Sequence, residues 1–451
     1  CQIQLLILAS PSIKKEINMR VCIHRGSHQI GGNCVEIEQN GWRILIDLGL
    51  PLDAESNDRC YLPTSLTGLN GEDLSLLGIL ISHPHLDHFG LLSHVSPKIP
   101  IGMGSAARRI LAAAAPFLPS QWPIPTSGWD YQSRQRFDVG PFRITPFLVD
   151  HSAYDAYALL IESGDQRLFY SGDFRAHGRK AGLFKQLLTK PPKNLDVLLI
   201  EGTSLGRLDN DQRFPTEVDI EAKLIEVFSA IDGLALVHTS AQNIDRVVSI
   251  FRASKRTGRR LIIDIYTAAV LEATDNKRIP QSDWPDIALF IPESQRRQIK
   301  KNAWFDLLRR HAKNRIYIEN LQEILSKSTL LFRPLHQIDL ESGQCLAGAA
   351  YIYSQWEGYW ERGFYNGVKD WLEYHNIVKH SIHTSGHASP ADLKTFVEAL
   401  SPGCVVPIHS FKPSICFDLF ANVEMYKDGE WWEIGKRNNV ENDSQLELNS
   451  P

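Results

Sequence analysis

Ser82 to Gly90 read SHPHLDHFG, which sets His83, His85, Asp87 and His88 within one short stretch. Imidazole nitrogen is a borderline ligand and carboxylate oxygen a hard one. That mixture suits Zn²⁺, with Mn²⁺ or Fe²⁺ also in range. Alternate residues of an extended stretch point the same way, so His83 and His85 can share one ion. Asp87 and His88, just past the turn, can face a second. Residues of the same types recur further along, each closing an apolar run. FRITPFLVDHS reaches His151, QRLFYSGDF reaches Asp173, LDVLLIEGT reaches Glu201 and CVVPIHS reaches His409. Upstream, Ile44, Leu45 and Ile46 run into Asp47. In sheet-based enzymes, sites assemble on the rim where strands end.

Positioning such tips requires strands and the turns that follow them. Arg20 to Leu50 reads as β-structure, and LLGILIS (76–82) as a short buried strand that delivers the histidine cluster. FGLLSHV is expected to start a helix, with Asp87 at its N-terminal edge where a carboxylate suits the free amides and the dipole. Residues 143–175 alternate strands and loops. After Leu205 the character changes. PTEVDIEAKLIEVFSAIDG predicts a helix capped by Thr216, with Asp219 three residues on. LALVH predicts a strand; Ile244, Val247, Val248 and Phe251 follow helical spacing; LIIDI (261–265) predicts another strand. This β–α–β order predicts an inserted α/β unit over 206–345, with AAYIYSQW (349–356) returning to the first domain. Ser389-Pro390 opens a helix carrying Leu393, Phe396, Val397 and Leu400 on one face. The expected division is an extension (1–18), a first domain in two parts (19–205 and 346–438) around the insert, and a polar tail (439–451).

Composition narrows the classes. A length of 451 residues suits two to three domains, and 43 % apolar with 22 % charged residues is ordinary for a globular chain. The net charge of −4 excludes a chain-wide polycation, so any nucleic-acid contact needs a local basic face. No apolar run reaches the ~18 residues of a membrane span. The seven cysteines are odd in number and form no C-x-x-C pair, which argues against a disulfide framework or zinc knuckle and for a reducing cytoplasm.

HPHLDH at 83–88, preceded by Asp47 in ILIDLGLP and followed by His151 and Asp173, resembles the metallo-β-lactamase superfamily. The resemblance implies an αββα sandwich with two divalent metals, zinc foremost and manganese as alternative. His83, His85 and His151 would bind one metal. Asp87 and His88 would bind the other, Asp173 would bridge both, and Asp47 would brace the histidine loop. Glu201 in IEGT, His387 in HTSGHAS and His409 in VPIHS resemble motifs A, B and C of the β-CASP nucleases, which carry an inserted α/β domain between A and B. The S-G-H-A and V-P-I-H contexts are closest to ribonuclease J-like proteins. A histidine at motif C is associated there with RNA, and His409 would complete the second metal's ligands.

The resemblance therefore implies a cytoplasmic two-metal hydrolase of RNA, cutting as exonuclease, endonuclease or both. Asp87, Asp173, Glu201 and His387 form its expected catalytic set. His387 is the candidate general acid, with Glu201 on its other ring nitrogen. Ser385 and Gly386, before a helix N-terminus, are the candidate phosphate seat, with His383 able to join them. Basic clusters at Arg252, Lys255, Arg256, Arg259 and Arg260, and from Arg296 to Arg315, could line an RNA track. Trp304, Tyr359 and Trp360 could stack bases. Three other readings compete: a thioester-type metallohydrolase, which needs neither Glu201 nor His387; a DNA-processing β-CASP nuclease; and a non-catalytic RNA-binding subunit, which would tend to lose ligands. Ribonuclease J usually continues into a further domain that helps oligomerisation, whereas about 40 residues follow His409 here. A homodimer is one option for the oligomeric state. Ser410-Phe411 also replaces the Gly-Glu usual after motif C.

Overall fold

The computed structural model describes residues 18–118 and 127–435, so residues 1–17 of the expected extension and the polar tail 439–451 lie outside the described residues. The first sheet contains β1 (Arg20–Arg25), β2 (Cys34–Gln39), β3 (Trp42–Ile46), β4 (Leu76–Leu80), β5 (Ile101–Gly104) and β6 (Asp130–Tyr131). The second contains β7 (Phe137–Val139), β8 (Phe142–Val149), β9 (Ala156–Ser163), β10 (Gln166–Tyr170) and β11 (Val197–Glu201). The third contains β12 (Ala235–His238), β13 (Arg260–Ile263), β14 (Ile287–Phe290), β15 (Arg315–Ile316), β16 (Ser328–Phe332), β17 (Ala350–Tyr353) and β18 (Val378–Ser381). The chain then rejoins the earlier sheets, β19 (Cys404–Ile408) pairing with β11 and β20 (Trp431–Glu433) with β1.

The first two sheets lie face to face. Val21, Val35, Ile37, Ile44 and Ile46 of one share a buried cluster with Ile144, Leu159, Ile161, Leu168, Val197 and Leu199 of the other. The outer face of the first sheet, with Leu45, Ile79 and Ile81, packs on Phe89, Leu91 and Leu111. The outer face of the second, with Leu160, Phe169, Leu198 and Ile200, packs on helices Ala181–Thr189 and Pro390–Leu400. The layers are therefore helix, sheet, sheet, helix, as the α/β expectation required. The third sheet is parallel throughout and its central strands are covered on both faces, which is why β12, β13, β14 and β16 read as apolar runs, whereas the edge strand β18 is partly exposed.

Two expected elements are corrected by the structure. Ala350–Tyr353 does not return to the first domain; β17 pairs in parallel with β12 and β18, so the third sheet continues to Ser381. Tyr351 and Tyr353 bury their rings among that sheet's apolar residues, and this fixes the strand there. The helix expected from FGLLSHV is only Leu86–Phe89, followed by a 3₁₀ turn at Leu92–His94. Backbone contacts explain the break: Leu48 N–H donates to His88 O and Leu91 N–H to Leu48 O, so the loop after β3 engages groups a longer helix would use.

Strand direction is what positions the site. β8 and β9 are antiparallel, as are β9 and β10, while β10, β11 and β19 are parallel. Thus β8, β10, β11 and β19 all end at one edge, and His151, Asp173, Glu201 and His409 follow there. β3 and β4, parallel in the first sheet, end at Ile46 and Leu80 and bring Asp47 and the histidine loop.

Candidate metal centre

Three groups of side chains at this edge could hold a metal ion. His83, His85 and His151 form one; Asp87, His88, Asp173 and His409 a second; Asp173, Glu201 and His387 a third. Within each group the ligand-type atoms lie within 4.8 Å of one another. His151 Nε2 is 3.2 Å from His85 Nδ1, and His88 Nε2 is 3.1 Å from Asp173 Oδ2. His409 Nδ1 is 2.8 Å from Asp173 Oδ1.

Four buried polar atoms here have no hydrogen-bond partner among the described residues: Nε2 of His83, His88 and His409, and Oδ2 of Asp173. Buried polar atoms are normally satisfied, so a convergent set of orphans fits cations that would take their lone pairs. Electrostatics agrees. Burial, reinforced by neighbouring histidines, holds His83 and His151 well below the usual histidine range and His85 down at about 4, so all three are neutral donors. Burial pulls His409 down too, but the Asp173 carboxylate outweighs it and pushes the ring up to about 9. The carboxylates thus hold protons where a divalent ion would neutralise them.

Asp47 braces the histidine loop. Its carboxylate accepts from Ser82 N–H at 2.7 Å, Ser82 Oγ–H at 2.8 Å, His88 Nδ1–H at 2.7 Å and Tyr170 O–H at 2.7 Å. Asp47 and His409 both adopt left-handed backbone, with φ of 59° and 52°. Such strain in non-glycine residues is held only where surrounding structure fixes it. Glu201 accepts from Phe174 N–H at 2.9 Å through Oε1, and from His387 Nδ1–H at 2.9 Å through Oε2.

The candidate phosphate seat lies directly beside the first group. Ser385 Oγ accepts from His387 N–H at 3.0 Å, and Gly386 O lies 2.5 Å from His151 Nδ1. A Cβ at Gly386 would stand 2.5 Å from Ser152 Oγ and 3.2 Å from His151 Cε1, so glycine permits this approach. His383 belongs to none of the three groups; it lies 3.4 Å from Arg246 Nη1, and burial lowers it to about 3.

A family profile described as the beta-lactamase superfamily domain matches residues 43–238. Ribonuclease J of Synechocystis sp. is 23 % identical over 396 residues, covering 85 % of this chain and 59 % of that protein. Ribonuclease J of Mycobacterium tuberculosis is 26 % identical over 253 residues, covering 54 % of this chain and 44 % of that protein. The matched part of this chain therefore spans about half the length of these relatives. The chain carries a metallo-β-lactamase domain and is ribonuclease J-like in sequence. A crystal structure of a protein of unknown function from Enterococcus faecalis shares the fold, with TM-score 0.73 at 21 % identity, covering 92 % of this chain and all of that one.

Behind the metal-ligand groups, the metallo-β-lactamase domain is joined to the third-sheet unit by a buried ionic cluster that sequence reasoning missed. Arg175 Nε pairs with Asp150 at 3.2 Å, Nη2 with Asp245 at 2.7 Å and Nη1 with Glu217 at 3.4 Å. Nη1 also donates to Ser385 O at 3.2 Å, and His177 Nε2 lies 2.9 Å from the same oxygen. Arg246 pairs with Glu217 at 3.0 Å and donates to Ser354 O at 3.1 Å. Both arginines are fully buried. Only the place of Arg175, two residues after Asp173, hinted at a role.

Most residues of the expected basic track are tied to carboxylates, while Lys300 and Lys301 carry no ion pair among the described residues. Arg252 and Arg256 pair with Glu221, Lys255 with Asp286, Arg296 with Asp339, Arg297 with Glu293, Arg309 with Asp306 and Arg310 with Glu272. Arg259 donates to the carbonyls of Phe228, Gly233 and Ser328. Trp304 packs on Phe117, and Trp360 packs on Tyr351 and Tyr353 beneath Lys379. Tyr359 is exposed. No helix among the described residues is long and apolar enough to cross a membrane.

Proposed function

We propose that this chain is a metal-dependent phosphodiesterase that hydrolyses RNA. The observation that carries the reading is the third group: His387 held by Glu201 at 2.9 Å, beside Asp173 at 3.6 Å. A thioester hydrolase has no need of that pair. His83, His85 and His151 would hold one divalent ion, Asp87, His88 and His409 a second, and Asp173 both, with zinc the proposed metal and manganese the alternative. The ions would supply Lewis-acid polarisation of the phosphate and a lowered pKa for water. With Nδ1 engaged by Glu201, His387 has Nε2 left to hand a proton to the departing 3′ oxygen. Asp173 Oδ2 is available to orient the attacking water. Ser385, Arg175 and His177 position the His387 loop.

The relatives named ribonuclease J support RNA as substrate, as does histidine at position 409. Residues from 206 through β18 are the proposed β-CASP unit. No disulfide joins the six described cysteines, which supports a cytoplasmic location.

The test is a time course on RNA and DNA oligomers labelled at either end, with His387→Ala as the comparison. Loss of about 10²–10⁴-fold in RNA cleavage with metal content retained is expected for a general acid. A mononucleotide ladder would identify exonuclease action. Preference for DNA would overturn the substrate, and equal thioester hydrolysis by both forms without RNA cleavage would overturn the reaction.

A further inference from the structure

Most of the expected track is tied to carboxylates, whereas two arginines near the candidate metal-ligating groups are not. Arg207 and Arg362 form no ion pair or hydrogen bond through their side chains among the described residues. Each instead sets its guanidinium over the indole of Trp356, at 5.6 and 5.2 Å from the ring centroid. Both distances lie within cation–π range. The indole is itself packed closely on the backbone: a Cβ at Gly358 would stand 2.3 to 2.6 Å from three of its atoms. Glycine there lets the ring lie flat enough to serve as a rack.

The rack stands at the site. Arg207 follows β11, whose last residue is Glu201, and its guanidinium senses the Glu201 carboxylate. A Cβ at the neighbouring Gly206 would lie 3.2 Å from Lys412 Nζ, and Lys412 closely follows His409. Tyr359 meets Trp356 edge-on at 5.2 Å and senses Asp87. Two guanidinium groups sharing one ring repel each other, and burial and Arg362 both lower the Arg207 pKa. An anion between them relieves that repulsion. Arginine forks match phosphate oxygens, and stacking on an indole leaves their N–H edges free to do so.

We propose that Arg207 and Arg362, racked on Trp356 with Lys412 beside them, clamp a backbone phosphate next to the scissile one. The ligand is then a polynucleotide strand and not an isolated phosphodiester. The proposal rests on the phosphodiesterase reading above, but its test is independent of cleavage.

The experiment measures binding of a short 5′-labelled oligouridine to the full chain by fluorescence anisotropy, in chelator and across a salt series. Arg207→Gln and Arg362→Gln should each weaken binding roughly tenfold. Each should also lower the slope of log affinity against log salt by about 0.7, the value for one single-strand phosphate contact. Trp356→Leu keeps both charges but should weaken binding, and Trp356→Phe should recover most of the loss. Unchanged affinity and slope in both arginine variants would overturn the clamp. So would a loss confined to Lys300→Gln and Lys301→Gln, on the rival basic face. If the arginine variants behave as expected but wild type with metals restored fails to cut RNA, the clamp stands and the hydrolase reading falls.

Discussion

Asp47 accepts four hydrogen bonds in a fully buried position, from Ser82, His88 and Tyr170. Groups that orient a metal-binding histidine affect affinity almost as strongly as the ligands. Asp47→Ala should therefore weaken zinc binding by about 10–100-fold, measured by competition with a chromophoric chelator. The same titration should depend on pH. His409 stands at about 9, so at neutral pH it carries a proton that an incoming cation must displace. Affinity should rise with pH towards about 9 and fall by about tenfold per unit below it for each proton released. The HPHLDH spacing alone made His83, His85, Asp87 and His88 legible as ligand types. The left-handed backbone of Asp47 and His409 was not legible, because no local pattern specifies it; contacts such as His409 N–H to Gly26 O, at 2.7 Å, hold it.

At the scale of elements, apolar runs ending on His, Asp or Glu marked the strand tips correctly. Their common edge depends on strand direction, which a run of residues does not encode. Basic runs misled for a related reason. Their carboxylate partners Glu221, Asp339 and Glu272 lie on other helices, so the neutralisation appears only after packing. Glu217, in the buried ionic cluster, pairs with both Arg175 and Arg246. Burial raises its pKa, but Arg246 and Arg175 outweigh that and bring it from 4.5 to about 2. Its stabilisation is present above pH 4.5 and fades as pH falls through about 2. Glu217→Gln should cost about 3–5 kcal/mol in urea unfolding at neutral pH, by leaving buried arginines short of charge. The variant should also show a flatter stability profile across that acid window.

At the scale of the whole molecule, the ligand-type residues come from every part that the third-sheet unit separates. His83 and His85 follow the first sheet, His151 and Asp173 the second, and His409 arrives after the chain has completed the third and rejoined β11. Metal binding should therefore stabilise the fold as a unit. At a free zinc concentration 100 times its dissociation constant, the gain is about 2.7 kcal/mol. Differential scanning calorimetry should show a single higher transition with zinc, and His85→Ala should lose most of that shift.

The 236 residues between Asp173 and His409 also set an order of events in time. At ordinary rates of about 5–20 residues per second, a ribosome needs roughly 10–50 s to pass from one to the other. Through most of that interval a nascent chain lacks both His387 and His409, one member each of two of the three groups. On the reading proposed above, the second group of ligand-type residues closes only once β19 has been made and His409 follows it.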